Sequence, residues 1–233
     1  MPYLAYDLLD YAAAEDALND GLRAALDLGD PTLISYLHFW LGRAAADQQR
    51  TTTVLDHAFA AQSWAARSSS NLVRSLNESL FSMAHASDGE SSACARAHDR
   101  AVAMADTPKS SEPSFLYWMS PSMAESRAAP SLIQLKQSRP AIAAVQRSLA
   151  GLGQQFKLDR GFALVSYAEA LTLAKEIPEA ASRLTEAADI ASRHSSARLT
   201  DQLTKARARL EPWAGNARVR QLDENLRAHG VWQ

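Results

Sequence analysis

Short polar breaks divide this chain at regular intervals. Gly29-Asp30-Pro31, Ser87-Asp88-Gly89 and Thr107–Pro113 carry residues that favour turns, helix caps or helix starts. Between such breaks lie segments of about 12–17 residues with apolar side chains at helical spacing, as in residues 162–174 and 180–191. The sequence therefore predicts a succession of helices joined by short turns.

The composition supports helices and excludes most folds built on β-sheets. The chain has 45 alanines and 29 leucines, but valine and isoleucine together number only 12. Alanine and leucine favour helices, whereas strands are rich in β-branched and aromatic residues. A hydrophobic fraction of 47% and a charged fraction of 21% are ordinary for a folded globular chain. We therefore predict an all-α protein.

The charge is nearly balanced overall but differs between the two ends of the chain. The formal net charge is −2, so the whole chain provides no electrostatic argument for a nucleic acid or a membrane as partner. Residues 1–50 carry 3 basic and 8 acidic side chains, whereas residues 131–233 carry 15 and 10. This asymmetry either orients a partner, for example in head-to-tail contacts, or reflects solvated helix faces that happen to differ.

Cysteine content and the first residues bear on the cellular compartment. Cys94 is the only cysteine, so an intrachain disulfide is impossible and a secreted disulfide scaffold is excluded. No apolar run approaches the roughly 20 residues of a membrane span, and the acidic first residues do not resemble a signal peptide. The sequence thus predicts a cytoplasmic protein with no membrane partner.

Small residues recur at fixed offsets, as the close crossing of two helices in a tetratricopeptide hairpin requires. The clearest case is Ala168, Ala180 and Ala187, which are separated by 12 and 7 positions. The same offsets fit Ser82, Cys94 and Ala101, and also Ser131, Ala143 and Ala150, while Ala58 and Ala65 fit the second half of the pattern. The second-helix positions recur after 36, 49 and 37 residues, against about 34 for tetratricopeptide repeats. We place the extra residues of the long step in the loop before Phe115.

We predict an all-α α-α superhelix, a tetratricopeptide-like solenoid of helical hairpins with about 11–13 helices in one domain, residues 1–233. The alternative is a helical bundle without repeats. The predicted repeats are 1–29, 32–68, 71–106, 115–152 and 160–193, followed by a C-terminal cap at 196–233. Because the first predicted helix is too short for a full repeat, we expect the chain to be part of a longer protein.

Four stretches resemble a known family. They read ACARAHDRAVAMA at 93–105, FLYWMSPSMAESRA at 115–128, YAEALTLAKEIPEAASRLTEAADIA at 167–191 and ARLEPWAGNARVRQLDENLRAHG at 208–230. They are similar to the C-terminal region of actinobacterial regulators that carry an XRE-type helix-turn-helix before tetratricopeptide-like repeats. The resemblance implies that the repeats sense a peptide or small molecule and support dimerisation of a transcriptional regulator.

The chain departs from that family in two respects. Residues 1–60 contain no basic recognition helix after a short turn, so we predict no direct nucleic-acid binding by this chain. In addition, Ser120-Pro121-Ser122 and Pro130 stand where the family has an unbroken helix. Proline inside a helix breaks or kinks it, so we expect the repeat at 115–152 to be distorted.

The sequence provides little support for catalysis or metal binding. Cys94 and His98 are four positions apart, with His85 nearby, but the cysteine stands where a small buried residue is needed. His38 and His57 occur near carboxylates, yet no catalytic triad order, HExxH motif or phosphate-binding loop is present. We predict a non-enzymatic protein with no catalytic residues, no metal and no cofactor.

Two groups of aromatic residues and one predicted helix face are candidates for binding. Tyr36, Phe39 and Trp40 form one group, and Phe115 to Trp118 form the other; such residues pack in cores or line grooves. In a tetratricopeptide solenoid the first helix of each hairpin lines the concave surface. The resulting predicted binding residues are Leu76, Asn77, Ser79, Met83, Tyr117, Trp118, Glu125, Leu132, Phe162, Val165 and Glu169.

These features lead to two hypotheses about function. The first is a binding module that recognises a peptide, a small molecule or a protein in the concave groove, as the sensing part of a regulator. The second is a scaffold or a homodimerisation protein whose apparent groove is filled by its own segments. A helical enzyme would need a cluster of converging polar groups, which the sequence does not reveal.

Overall fold

The computed structural model describes residues 2–230, which form twelve α-helices and two 3₁₀ helices and contain no strand. The predicted all-α class is therefore confirmed. Met1 and residues 231–233, parts of the predicted first repeat and cap, lie outside the described residues. The α-helices are α1 (Pro2–Asp7), α2 (Tyr11–Leu28), α3 (Pro31–Asp47), α4 (Thr51–Ala65), α5 (Asn71–Ser87), α6 (Ser91–Asp106), α7 (Pro121–Gln134), α8 (Ser138–Gly151), α9 (Lys157–Leu173), α10 (Ile177–Ala191), α11 (Ala197–Ala208) and α12 (Ala217–Ala228).

The chain forms two compact units, residues 1–131 and residues 132–233. α1 to α6 lie in the first unit and α8 to α12 in the second, while α7 runs across the boundary. The most extensively packed pairs are α3 with α4 and α5 with α6 in the first unit, and α9 with α10 in the second. These three pairs are helical hairpins, as the sequence predicts. Within the described residues no helix has the length and apolar character needed to cross a membrane.

Five hairpin connections share one turn. Each connection has three residues, and its middle residue has a positive φ of 58–76°. The N–H of that residue donates to the carbonyl three positions earlier, and the next N–H donates to the carbonyl five positions earlier. This is the Schellman arrangement that ends a helix. The middle residues are Leu9, Gln49, Gly89, Lys136 and Lys175, which follow one another after 40, 40, 47 and 39 positions.

The recurring turn determines the register of the small residues at the helix crossings. In α5 and α6 the predicted trio is buried, and the Ser82 Oγ lies 3.3 Å from the Cys94 Sγ. The trio of α9 and α10 is also buried, with exposed fractions of 0–1%. The predicted residues Ala168, Ala180 and Ala187 therefore belong to the core of the second unit.

Two of the predicted registers are wrong. Around the turn at Lys136 the buried small residues at the required offsets are Ala129, Ala141 and Ser148, whereas Ala143 is half-exposed and Ala150 is exposed. The predicted positions are thus displaced by two residues. An alanine-rich helix provides small residues at several neighbouring offsets. Only the position of the turn therefore shows which of these residues lie at the crossing.

The hairpin of α3 and α4 shows the second displaced register. Counted from its turn, the positions equivalent to Ser82, Cys94 and Ala101 are Gly42, Val54 and Ala61. A Cβ on Gly42 would lie 2.7 Å from the Leu80 side chain. Ala58 is also buried, but it lies four positions after the true equivalent of Cys94. A glycine fits the first position because the neighbouring side chain leaves no room for a larger residue.

A serine hydrogen bond joins the two helices in two hairpins of the first unit. The Ser35 Oγ donates to the carbonyl of Ala61 at 2.9 Å, and the Ser75 Oγ donates to the carbonyl of Ala101 at 2.6 Å. Both serines precede the turn by 14 positions, and both acceptors follow it by 12. The two hairpins therefore cross in the same way.

The segment between α6 and α7 contains the extra residues of the long repeat step, as predicted. The Glu112 carboxylate in this segment accepts hydrogen bonds from the backbone N–H groups of Asn71, at 2.8 Å, and Lys109, at 2.9 Å. The carboxylate thereby caps the N-terminus of α5, where negative charge is favourable. Pro121 begins α7 instead of interrupting a helix, whereas Pro130 does lie inside α7, on its exposed side.

Ala141→Leu tests the corrected register in the second unit. Ala141 is fully buried, so we expect the larger side chain to overpack the core and to lower the free energy of unfolding by about 1–3 kcal/mol. Ala150→Leu is the matched control on the same helix, and its exposed position predicts a change within about 0.5 kcal/mol. Urea denaturation monitored by circular dichroism measures both. Equal effects of the two substitutions would contradict the register.

Candidate binding surface

The fold brings the two aromatic groups of the sequence together in the first unit. The Tyr36 and Phe115 ring centroids are 4.9 Å apart, and those of Trp40 and Trp118 are 6.3 Å apart. Phe39 packs edge-on against Trp40 at 5.5 Å. We call these five residues the aromatic cluster. The sequence singled out both groups but did not predict their contact, because about 75 residues separate them along the chain.

Arg127 of α7 lies within the aromatic cluster. Its guanidinium carbon is 5.0 Å from the ring centroids of both Phe39 and Trp118, and 6.0 Å from that of Trp40. Cation–π attraction of this kind contributes about 0.5–2 kcal/mol, depending on how much water is excluded. The guanidinium therefore helps to hold α7 against α3. Sequence reasoning missed this residue, since an arginine among small helical residues reads as a solvated side chain.

The aromatic cluster extends from the core to the surface. Phe39 is 1% exposed, and Phe115 is 36% exposed. Tyr36, Trp40 and Trp118 are half-buried, and burial raises the pKa of the Tyr36 phenol. Beside the cluster, Tyr117 is 79% exposed. Large aromatic side chains that are partly exposed and held in place are typical of recognition surfaces.

The predicted binding residues of α5 lie in a more buried environment. Leu76, Asn77 and Ser79 are 0%, 3% and 4% exposed, and only Met83 is half-exposed. The Ser79 Oγ donates to the carbonyl of Ser75 at 3.0 Å. The Oδ1 atom of Asn77 is buried without a hydrogen-bond partner. The Asn77 amide, a predicted binding group, is therefore enclosed by protein in this structure.

Glu125 and Leu132 of α7 are also buried. The Glu125 carboxylate contacts the Nε2 atom of His98 at 3.1 Å, and both side chains are about nine-tenths buried. Leu132 is 5% exposed and lies in the second unit. Glu125 therefore has a protein partner on α6, and neither residue presents a large surface to solvent.

In the second unit, α11 covers the predicted binding face of α9. The guanidinium carbon of Arg198 lies 3.8 Å from the Phe162 ring centroid, and Arg209 Nη1 contacts Glu169 Oε1 at 2.7 Å. Burial raises the pKa of Glu169, and the Arg209 cation opposes this shift. Val165 is 2% exposed. The chain's own C-terminal segment therefore occupies this face.

The cysteine and histidines considered for a metal do not converge. The Cys94 thiol contacts Ser82, and burial raises its pKa. His98 contacts Glu125, whereas the His85 Nδ1 lies 2.7 Å from a Glu90 carboxylate oxygen. Among residues 2–230 no group of three or more His, Cys, Asp and Glu side chains has the geometry of a metal site.

A pair of half-buried histidines connects α3 and α4. The Nδ1 atoms of His38 and His57 are 3.1 Å apart, so one ring must donate a proton and the other must accept it. Burial and the facing ring lower the pKa of His38 to about 4. Burial also lowers the pKa of His57; Arg50 acts in the same direction, while Asp56 and Glu15 oppose it. The hairpin therefore contains a neutral pair at pH 7.

Acidification is expected to destabilise the first unit through this pair. Because the folded pKa values lie below the unfolded value of about 6.5, the unfolded chain binds protons that the folded chain does not. The contribution of the histidine pair to the free energy of unfolding is then fully present above about pH 6.5, and it is lost as the pH decreases toward about 4. We expect a loss of roughly 1 kcal/mol between pH 7 and pH 5, after allowing for solvent screening of half-buried groups.

Urea denaturation at the two pH values measures this loss. The double variant His38→Gln and His57→Gln should lose less stability on acidification, because its amides can still bond but cannot titrate. His229→Gln is the control, since His229 lies in the second unit. An identical pH dependence in the double variant and in the wild type would show that the pair does not carry the effect.

These features define an all-α protein of helical hairpins with a partly exposed aromatic surface in its first unit. Comparison with protein-family models, with curated proteins and with solved structures finds no match to this chain.

Proposed function

We propose that this chain is a non-enzymatic binding module of tetratricopeptide-like hairpins that recognises a peptide, a small molecule or a protein. The observation that carries the proposal is the aromatic cluster, whose rings reach the surface around a fixed guanidinium. Such rings bury a large apolar area on binding and lose little conformational entropy. Of the predicted binding residues, Trp118 belongs to the aromatic cluster and Tyr117 lies beside it.

A role as the sensing and dimerisation part of a transcriptional regulator extends this proposal. It is supported by the resemblance of the ending LEPW and VRQLDENL to actinobacterial regulators of the XRE type. The repeated hairpins with small residues 12 and 7 positions apart are compatible with tetratricopeptide-like repeats. Their spacing of 39–47 positions is longer than the usual period of about 34.

A scaffold or dimerisation function is the second candidate. The observation that favours it is the contact of α11 and its C-terminal flanking residue with α9, where Arg198 and Arg209 cover Phe162 and Glu169. A face that is occupied within the chain contributes stability and is closed to a ligand. Under this hypothesis the chain dimerises and no peptide competes with self-association.

Peptide selection tests the binding function directly. Octapeptides displayed on phage are selected against the whole chain, and enriched peptides are then titrated by fluorescence anisotropy. We expect enriched peptides rich in apolar side chains, and Tyr117→Ala should weaken their binding by about tenfold, the loss typical of an aromatic contact at an interface. Because Tyr117 is 79% exposed, its substitution should leave the melting temperature unchanged.

A matched control shows whether peptide binding depends on the aromatic cluster or on any exposed aromatic side chain. Phe59 is 57% exposed, lies in the same unit and packs against Phe81 at 5.3 Å, outside the cluster. Phe59→Ala should therefore leave peptide affinity unchanged. If no peptide is enriched, or if both variants bind enriched peptides as well as the wild type, the aromatic cluster is not the binding surface.

A further inference from the structure

The aromatic cluster surrounds a positive charge that its rings hold in place. The Arg127 guanidinium carbon lies 5.0 Å from the ring centroids of both Phe39 and Trp118. Phe39 is buried, but Arg127 and Trp118 are only partly buried. The cation therefore lies at the edge of the core, where the rings reach the surface.

The hydroxyl group of Tyr36 lies in an environment that favours negative charge. Burial raises the pKa of this phenol, but the Trp40 and Trp118 indoles, as hydrogen-bond donors, and the Arg127 cation oppose the rise. An indole N–H can only donate, so the phenol oxygen is the acceptor and its own O–H remains a donor. Hydrogen-bond donors and a cation therefore converge on one point of the aromatic cluster.

Exposed aromatic rings lie beside this point. Phe115 is 36% exposed, and its ring centroid is 4.9 Å from that of Tyr36. Tyr117 is 79% exposed and lies close enough to Tyr36 to affect its pKa. Aromatic rings attract other rings in offset or edge-on contacts. The ring of a ligand can thus contact Phe115 or Tyr117 while an attached group reaches the Tyr36 hydroxyl.

The distances within the aromatic cluster indicate the size of a complementary ligand. The ring centroids of Trp40 and Trp118 are 6.3 Å apart, and the guanidinium carbon is 6.0 Å from the first and 5.0 Å from the second. Rings and cation therefore lie within the span of a single substituted ring. A carboxylate joined to the ring of a ligand directly or through one carbon matches this spacing.

We propose that the aromatic cluster binds a small aromatic carboxylate, whose ring contacts Phe115 and Tyr117 and whose carboxylate lies between the Arg127 guanidinium and the Tyr36 hydroxyl. This inference rests on the proposed binding function and names the ligand class of the same surface. A guanidinium has five N–H donors in a fork that matches a carboxylate, so it binds one in addition to the contacts it makes within the protein. Such charge-assisted hydrogen bonds are stronger than neutral ones.

A cationic ligand does not match this surface. Sites that bind ammonium groups through aromatic rings use the negative faces of those rings. In the aromatic cluster the Arg127 guanidinium already lies over the rings of Phe39, Trp40 and Trp118. A second cation would be repelled by the first. A neutral aromatic ligand would keep the ring contacts but would lack the charge-assisted hydrogen bonds.

Phenylacetate and its neutral analogue phenylacetamide test the proposal on the whole, unmodified chain. The two probes have the same ring and nearly the same shape, but only the acid is charged at pH 7. Intrinsic tryptophan fluorescence follows the titration, because Trp40 and Trp118 lie at the site. We expect phenylacetate to bind saturably and at least about tenfold more tightly than the amide. Higher salt should reduce this ratio, because ions screen partly exposed charges.

Two substitutions locate the carboxylate. Arg127→Gln should weaken phenylacetate by about tenfold or more and change the affinity for phenylacetamide by less than about twofold. Tyr36→Phe removes only the hydroxyl and should weaken the acid by about three- to tenfold. Arg67→Gln is the matched control, because Arg67 lies 4.8 Å from the Trp64 ring centroid in the same unit, outside the aromatic cluster. It should leave both affinities unchanged.

Three results would overturn the proposal. They are the absence of saturable phenylacetate binding, equal affinity of the acid and the amide, and an unchanged preference for the acid in both Arg127→Gln and Tyr36→Phe. The comparison of the two probes on the wild type does not depend on the folding of any variant. If phage-selected peptides bind and Tyr117→Ala weakens them while phenylacetate does not bind, the binding function stands and the ligand class is wrong. If neither binds, the binding function fails as well.

Discussion

Replacing Arg207 with methionine is expected to lower the free energy of unfolding of the second unit by about 3–5 kcal/mol. The Arg207 side chain is 4% exposed, and its guanidinium contacts both carboxylate oxygens of Asp223 on α12, with Nη2 to Oδ2 at 2.7 Å. Its Nη1 also donates to Glu211 at 3.0 Å. Methionine retains much of the volume but leaves the Asp223 carboxylate, only 13% exposed, without its cation.

Two variants show whether the buried pair is the cause. Lys205→Met, on the same helix, removes an exposed ion pair with Asp201 and should change stability by less than about 0.5 kcal/mol. Adding Asp223→Leu to Arg207→Met should recover most of the loss, because no buried charge then remains unpaired. Urea denaturation monitored by circular dichroism measures all three. A cost of Arg207→Met no larger than that of Lys205→Met would contradict the prediction.

Leu76→Ala is expected to destabilise the first unit by about 2–5 kcal/mol. Leu76 is fully buried in α5, and truncating a buried leucine removes apolar contacts and leaves a cavity. The sequence placed this residue on a binding face, where truncation would weaken a ligand and spare the fold. The size of the stability loss therefore distinguishes a core position from a groove position.

The control for this prediction is Leu28→Ala, in the same unit. Leu28 is 72% exposed, so its truncation should change the free energy of unfolding by no more than about 0.5 kcal/mol. Denaturant titration of both variants gives the comparison. If Leu76→Ala cost as little as Leu28→Ala, α5 would open readily and its buried residues would be available for binding.

Much of the helical organisation could be predicted from local patterns, but the register could not. Gly89 indicates its turn in the sequence, because glycine adopts a positive φ without strain. Gln49, Lys136 and Lys175 adopt the same conformation without any such signal in the sequence. Alanines on either side of these turns offered several equivalent registers. The predicted trio with Ala143 was accordingly displaced from the buried positions.

The candidate site was predictable only in part, because it depends on contacts distant in sequence. Aromatic residues on α3 and before α7 were recognisable as candidates from their type alone. Arg127 lies among them because of the path that the segment between α6 and α7 takes. No periodic pattern of the sequence predicts that path. Likewise, no local pattern indicated that Arg198 would lie over Phe162.

The sequence by itself determined the helical class, the hairpins and the need for small residues at their crossings. These depend on residue type and on spacings within one or two helices, so local energetics specify them. Only the tertiary structure decided which faces remain open. Arg198 and Arg209 cover α9 at Phe162 and Glu169, whereas Phe59 on α4 is 57% exposed. The exposure of a helix face depends on which helices pack beside it, and the residues of that helix alone do not show whether such a neighbour is present.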